Sequence, residues 1–150
     1  PGLRIGYAVG PTSLIKEMVT AGTNTYISPG QVSEAILNDY LRAGKLDESI
    51  RTVRGALSER RTAMVDALRE FLPQATFVIP QGGYFMWIDL GEGVDTDVIA
   101  AKAAEAGVPI TKGSDFMLEG GQNAMRLAYS AVQPDEIREG IERLAGIING

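Results

Sequence analysis

The chain has 150 residues, 45% hydrophobic and 22% charged, with a formal net charge of −5, no cysteine and no histidine. That length allows one ordinary core, or one small domain with a piece of another. The composition excludes disulfides, thiolate chemistry and any His-dependent triad confined to these residues, and the acidic balance gives no electrostatic reason to expect nucleic acid.

In chain order, residues 5–9 form a short apolar run stopped by Gly10-Pro11, which predicts a strand and a turn. A helix is expected over 11–21, with Leu14, Ile15, Met18 and Val19 on one face. Residues 23–29 read as a polar loop. The next helix, 31–41, carries Val32, Ala35, Ile36 and Tyr40 and is ended by Gly44. Asp47 is the expected N-cap of a long helix reaching Leu72, with Ile50, Val53, Leu57, Met64, Leu68 and Phe71 as its apolar stripe. Pro73 stops it. The charges of that helix, among them Arg51, Arg54, Glu59, Arg60, Arg61, Asp66, Arg69 and Glu70, read as a solvated face.

Strands are expected at 76–80 and 84–90, on either side of Gly82-Gly83. A helix over 96–106 follows, capped by Asp95 or Thr96. Short strands are expected at 108–111 and 125–130. The last helix starts at Pro134, has Asp135 and Glu136 in its first turn, and turns Ile137, Ile141, Leu144 and Ile148 inward. This order predicts an α+β fold. Residues 1–45 are helix-rich after one strand, 46–72 are one connecting helix, and 73–150 form a β-β-α-β-β-α unit with helices over one sheet face.

Two arginines stand out. In MRLAYS, alternation puts Met125, Leu127 and Tyr129 on one face and Arg126, Ala128 and Ser130 on the other. An arginine in the middle of a short apolar strand is costly unless it is paired, and that strand carries no acidic residue. Either Arg126 binds an anion from outside, or it bridges to a distant carboxylate of the fold. Arg4, in PGLRIGY, precedes the first apolar run and by itself reads as a surface arginine before a strand. Between them lies PQGGYFMWIDL, residues 80–90, a glycine turn leading into an apolar strand. No zinc spacing, Walker loop or GxGxxG is present, and no carboxylate pair stands out.

PGLRIGY, PQGGYFMWIDL and MRLAYS, taken together and in this order, resemble the carboxy-terminal part of a class I/II aminotransferase. That is the fold-type-I family dependent on pyridoxal 5′-phosphate (PLP), and the resemblance extends over essentially the whole chain. It implies a small C-terminal domain with a mostly antiparallel sheet (73–150), preceded by a connecting helix (46–72) and the tail of the large PLP-binding domain (1–45). It implies that Arg4 binds the cofactor phosphate and that Arg126 forms a two-point salt bridge with the substrate α-carboxylate. Tyr84 or Phe85 would sit near the substrate side chain. NTYISPGQ corresponds to a loop at the family's dimer interface, and there Ser28 could touch the neighbouring subunit's phosphate site.

VPITKGSDF is similar to the family's loop over the substrate. Lys112 replaces the usual proline, either as an exposed lysine in a turn or as a charge near an acidic substrate side chain. The resemblance also implies that the Schiff-base lysine lies upstream of Pro1, that Lys16, Lys45, Lys102 and Lys112 do not replace it, and that these residues are an inactive fragment by themselves. The intact protein is expected to be a cytoplasmic homodimer that moves an amino group between an amino acid and a 2-oxo acid. The branch resembled includes aminoadipate, kynurenine and aromatic aminotransferases. It also includes the effector-sensing domain of MocR-type transcription regulators, which is the alternative reading. Neither a membrane nor a metal is expected, nor is nucleic acid from this region.

Overall fold

The computed structural model describes residues 2–28 and 30–150. Pro1, which opens the PGLRIGY segment, and Pro29, at the end of the expected polar loop, lie outside the described residues. The chain divides into two compact units, Pro1–Arg51 and Thr52–Gly150.

The first unit holds helices α1 (Thr12–Thr23) and α2 (Gln31–Arg42) and the start of the long helix α3 (Leu46–Phe71). Gly44 ends α2 in the left-handed region, φ 67°, and its amide donates to the Leu41 carbonyl. The loop after α1 is drawn in by the Gly22 carbonyl, which accepts from the amides of Thr25, Tyr26 and Ile27. Residues 5–9 are not a strand, contrary to the sequence-based expectation. A strand exists only when its amides and carbonyls meet a neighbour, and no described segment pairs with this one. Tyr7 and Val9 are 93% and 90% exposed.

The second unit contains the core. Four strands lie in the order β1-β2-β4-β3, antiparallel throughout: β1 (Thr76–Phe77), β2 (Phe85–Asp89), β3 (Thr111–Lys112) and β4 (Ala124–Ala128). Helices α4 (Thr96–Glu105) and α5 (Pro134–Asn149) complete the unit. Met86 and Ile88 of β2 and Met125 and Leu127 of β4 pack in one cluster with Met64 and Leu68 of α3, Ile99 and Ala103 of α4, and Ile137, Ile141 and Leu144 of α5. The helices thus cover one face of the sheet, as the period-two and period-3.6 patterns require.

Several boundaries differ from the sequence reading. The edge strands β1 and β3 are two residues each, because each has one neighbour and register only where that neighbour runs alongside. Asp47 lies within the first turn of α3 rather than capping it, since the helix begins at Leu46. The apolar stripe of α3 is buried at Met64 and Leu68, whereas Ile50 and Val53 are exposed. Nor is its charged face wholly solvated. Arg60 donates to the Val132 carbonyl (2.7 Å), Arg61 to the Pro80 carbonyl (3.1 Å), and Glu70 forms a bidentate pair with Arg138. Asp95 is the N-cap of α4, accepting from the Asp97 amide at 2.9 Å. The start of α5 is a capping box between Gln133 and Glu136 with Pro134 at the first helical position.

Candidate active site

The uncovered sheet face carries the chemistry. In the register, Arg126 stands between Trp87 of β2 and Thr111 of β3, and Phe85 stands beside Ala128. Directly opposed residues share a face, so these side chains project away from the helices. The Arg126 guanidinium lies 4.0 Å from the Phe85 ring centroid and 4.3 Å from that of Phe116. Phe116 ends a 3₁₀ turn, Gly113–Phe116. The two phenylalanines make no ring contact with each other; Phe85 meets Tyr84 (4.5 Å) and Phe116 meets Trp87 edge-on (5.9 Å). They therefore approach the guanidinium from different directions.

Arg126 has no carboxylate. Its Nε is buried without a hydrogen-bond partner, and no ion pair or hydrogen bond reaches its guanidinium among the described residues. Stacking satisfies the faces of the cation and leaves its in-plane donors unused. An internal bridge to a distant carboxylate, one of the two readings open from sequence, is not formed. A cleft of about 310 Å³ also touches Arg126, but it is lined mainly by core and α5 residues of the helix-covered side, among them Leu127, Ile137, Gly140, Ile141 and Leu144, and is not a pocket of the open face.

Below the site, Tyr129 is buried and its hydroxyl donates to the Gly83 carbonyl at 3.0 Å, while its amide donates to the Tyr84 carbonyl. This ties the Gly82-Gly83 turn to the end of β4 and so places Tyr84 and Phe85. Burial pushes the Tyr129 phenol up from its ordinary value, with Arg61 opposing.

Lys112 follows Thr111 on β3 and so points to the opposite face from Arg126. Its ammonium pairs with Asp97 at 2.9 Å and with Asp115 at 3.6 Å. The hydrogen bond from Lys112, and after it that from Ser114, holds the Asp97 carboxyl below its ordinary range. The same Asp97 hydrogen bond, with the Asp115 charge, raises Lys112. Lys112 is neither a bare charge on the open face nor a simple exposed turn lysine.

The structure brings Arg126, Phe85 and Tyr84 together within the second unit. Arg4 and Ser28 belong to the first unit. Arg4 adopts the left-handed conformation, φ 55°, with its side chain exposed and without an ion pair or hydrogen bond among the described residues. It lines a shallow hollow with Gly2, Leu3, Ile5 and Leu37. A side chain at Gly2 or Gly6 would meet nothing within 4 Å, so neither glycine is demanded by close approach here. An unpaired guanidinium suits a phosphate dianion, and to that extent the residues present fit PLP. Ser28 follows Ile27, also left-handed at φ 67°, a strained setting for a β-branched residue. Phe116 was missing from the sequence reading of the site. The one signal was its place at the end of VPITKGSDF.

The family model for aminotransferase class I and II matches residues 1–144. The chain belongs to this family. It is 35% identical, over 99% of its length, to aromatic-amino-acid aminotransferase 1 of Thermococcus litoralis, covering 36% of that protein. It is 31% identical, over 99% of its length, to the uncharacterized HTH-type transcriptional regulator YdfD of Bacillus subtilis, covering 31% of it. Among solved structures it matches α-aminoadipate aminotransferase LysN of Thermus thermophilus, complexed with N-(5′-phosphopyridoxyl)-L-leucine. That match has TM-score 0.89 and 27% identity, over all of this chain and 39% of that one. The chain thus spans about a third of the length of these relatives. The mixed fold with its small antiparallel sheet agrees with this neighbour over the whole chain. No helix among the described residues is long and apolar enough to cross a membrane, and no group of three or more potential metal-ligating side chains is found among them.

Proposed function

We propose that the intact protein is a PLP-dependent aminotransferase that moves an amino group between an amino acid and a 2-oxo acid, with Arg126 as the ligand of the substrate α-carboxylate. The observation that carries this reading is the Arg126 guanidinium, stacked by Phe85 and Phe116 on an open sheet face with its Nε buried and unpaired. Family membership supplies the reaction class.

Bound PLP would supply the electron sink for transamination. This chain's residues do the positioning. Arg126 offers a planar fork matched to a carboxylate, so it fixes the α-carbon in two directions at once. Phe85 and Tyr84 form an apolar wall beside that fork and help exclude water. Arg4 would hold the cofactor phosphate as a permanent cation, and Ser28 would add a hydroxyl donor at the neighbouring subunit's phosphate. Neither arginine moves a proton; both act by charge pairing.

In the same reading, residues 1–45 belong to a larger PLP-binding domain, 46–72 connect, and 73–150 are the small domain. A homodimer in the cytoplasm is the proposed setting. Exposed Leu14, Met18 and Val19 of α1 and Val32 and Ile36 of α2 support a covered surface there.

The match to an HTH-type regulator over nearly the whole chain favours a second reading, in which the same site senses an amino acid for a transcription regulator. One experiment separates them. The full-length protein, loaded with PLP, is assayed against a panel of L-amino acids with pyruvate and 2-oxoglutarate as acceptors. Turnover supports the enzyme. Amino-acid binding without turnover, joined to operator DNA binding, supports the regulator and overturns the enzyme.

A further inference from the structure

We infer that Phe116 is a positioning residue for Arg126: its ring, locked in place by the crossing of Gly113 and Gly121, holds the guanidinium in its carboxylate-binding orientation before any ligand arrives. This rests on the reading of Arg126 given above.

Arg126 alone cannot fix its own geometry. It has no hydrogen bond and no ion pair among the described residues, and an arginine side chain has considerable rotamer freedom. What restrains it is stacking, from Phe85 on the neighbouring strand and from Phe116 on the 3₁₀ turn. Phe85 is placed by the sheet. Phe116 needs a separate anchor, because the turn lies outside the ladder beyond β3.

The anchor is built from glycine and polar contacts. A Cβ on Gly113 would lie 2.4 Å from the Gly121 carbonyl oxygen and 2.8 Å from that of Ala124. One on Gly121 would lie 2.8 Å from the Gly113 carbonyl carbon, and Gly121 is at φ +83°. Only two glycines let these backbones cross so closely. The turn is further tied to α4, where Ser114 donates to Asp97 (2.8 Å) and Lys112 pairs with the same carboxylate. The buried Thr96 secures the far side, with its amide donating to the Gln122 carbonyl (2.7 Å) and its hydroxyl to that of Ala124 (3.0 Å). Trp87 meets the Phe116 ring edge-on from β2. The backbone of the turn is therefore closely tied down, and the half-exposed Phe116 ring that it delivers is held between Trp87 and Arg126. A guanidinium held this way loses less freedom when a carboxylate binds.

The test uses the full-length, PLP-loaded protein in wild-type, Phe116→Leu, Phe116→Tyr and Arg126→Ala forms, with the fastest donor of the amino-acid panel. If no donor turns over, calorimetric dissociation constants for the same L-amino acids replace KM. Phe116→Leu is expected to raise KM by up to about tenfold, between the worth of an exposed and of a desolvated cation–π contact, with kcat and PLP content close to wild type. Phe116→Tyr, which keeps the ring face, is expected to restore most of that loss. A normal KM in Phe116→Leu beside an impaired Arg126→Ala overturns this inference and leaves the Arg126 reading standing. Loss of kcat and PLP content together with KM, unrescued by tyrosine, also overturns it, because a general packing defect behaves in that way. A normal Arg126→Ala, or no binding of any amino acid, overturns both.

Discussion

At the scale of single residues, the site depends on a few side chains that each have one clear task. Tyr129 is buried and spends its hydroxyl on the Gly83 carbonyl. Tyr129→Phe should therefore lower stability by about 1 kcal/mol, the usual net worth of one such bond. Urea unfolding of the 150-residue chain measures it, and an unchanged midpoint would contradict the assignment. Arg4 has no partner among the described residues, which is what a ligand of an external phosphate should look like. Arg4→Ala in the full-length protein should raise the PLP dissociation constant and leave the preference among amino acids unaltered once PLP saturates. Equal PLP affinity in the variant and wild type, read by absorbance titration, would refute that role. Part of this scale was legible in the sequence. The alternation Met125, Leu127, Tyr129 against Arg126 follows from strand period alone, and burial follows it. The meeting of Arg126 with Phe116 was not legible. Ten positions separate them, and their contact depends on how a turn outside the ladder folds back.

At the scale of elements, the helices were easier to read than the strands. A helix carries its hydrogen bonds within itself, so α4 and α5 start where Asp95 and Pro134 indicate. A strand depends on a neighbour, so residues 5–9 have strand-like composition without forming one, β1 shrinks to two residues, and β3 lies at Thr111–Lys112 rather than at 108–111. Lys112 shows the same limit: period two assigns a residue a face only once the register is known. The turn that carries Phe116 has an acid-sensitive tie. Asp97 is held below its ordinary range, mainly by the Lys112 hydrogen bond. A depressed carboxylate stabilises the fold above its unfolded-state pKa, around 4, and the contribution is lost as pH falls below that towards the folded value. Asp97→Asn should therefore lower Tm near neutral pH, and the gap to wild type should close on acidification through that window. A gap that persists undiminished at the acid end would show that Asp97 contributes in some other way.

At the scale of the whole molecule, burial is unevenly shared. Every residue of the apolar core lies between Met64 and Ala145, in the second unit, whereas Gly22 is the one buried residue described in the first. Backbone hydrogen bonds beneath a packed core open least often. Hydrogen exchange on the 150-residue chain should thus show stronger protection over 85–89, 124–128 and 137–145 than over α1 and α2. Equal protection in both units would contradict the unequal core.

The central claim, that Arg126 binds the substrate carboxylate of a transaminase, is tested most directly by steady-state kinetics. The measurement is kcat/KM of the full-length protein for its best amino-acid donor, in wild-type, Arg126→Ala and Arg126→Lys forms. Truncating one member of a desolvated charge pair costs roughly 2–5 kcal/mol, so Arg126→Ala should lose a corresponding factor in kcat/KM. Arg126→Lys should recover little of it, because an ammonium lacks the fork. A kcat/KM near wild type in Arg126→Ala would contradict the account.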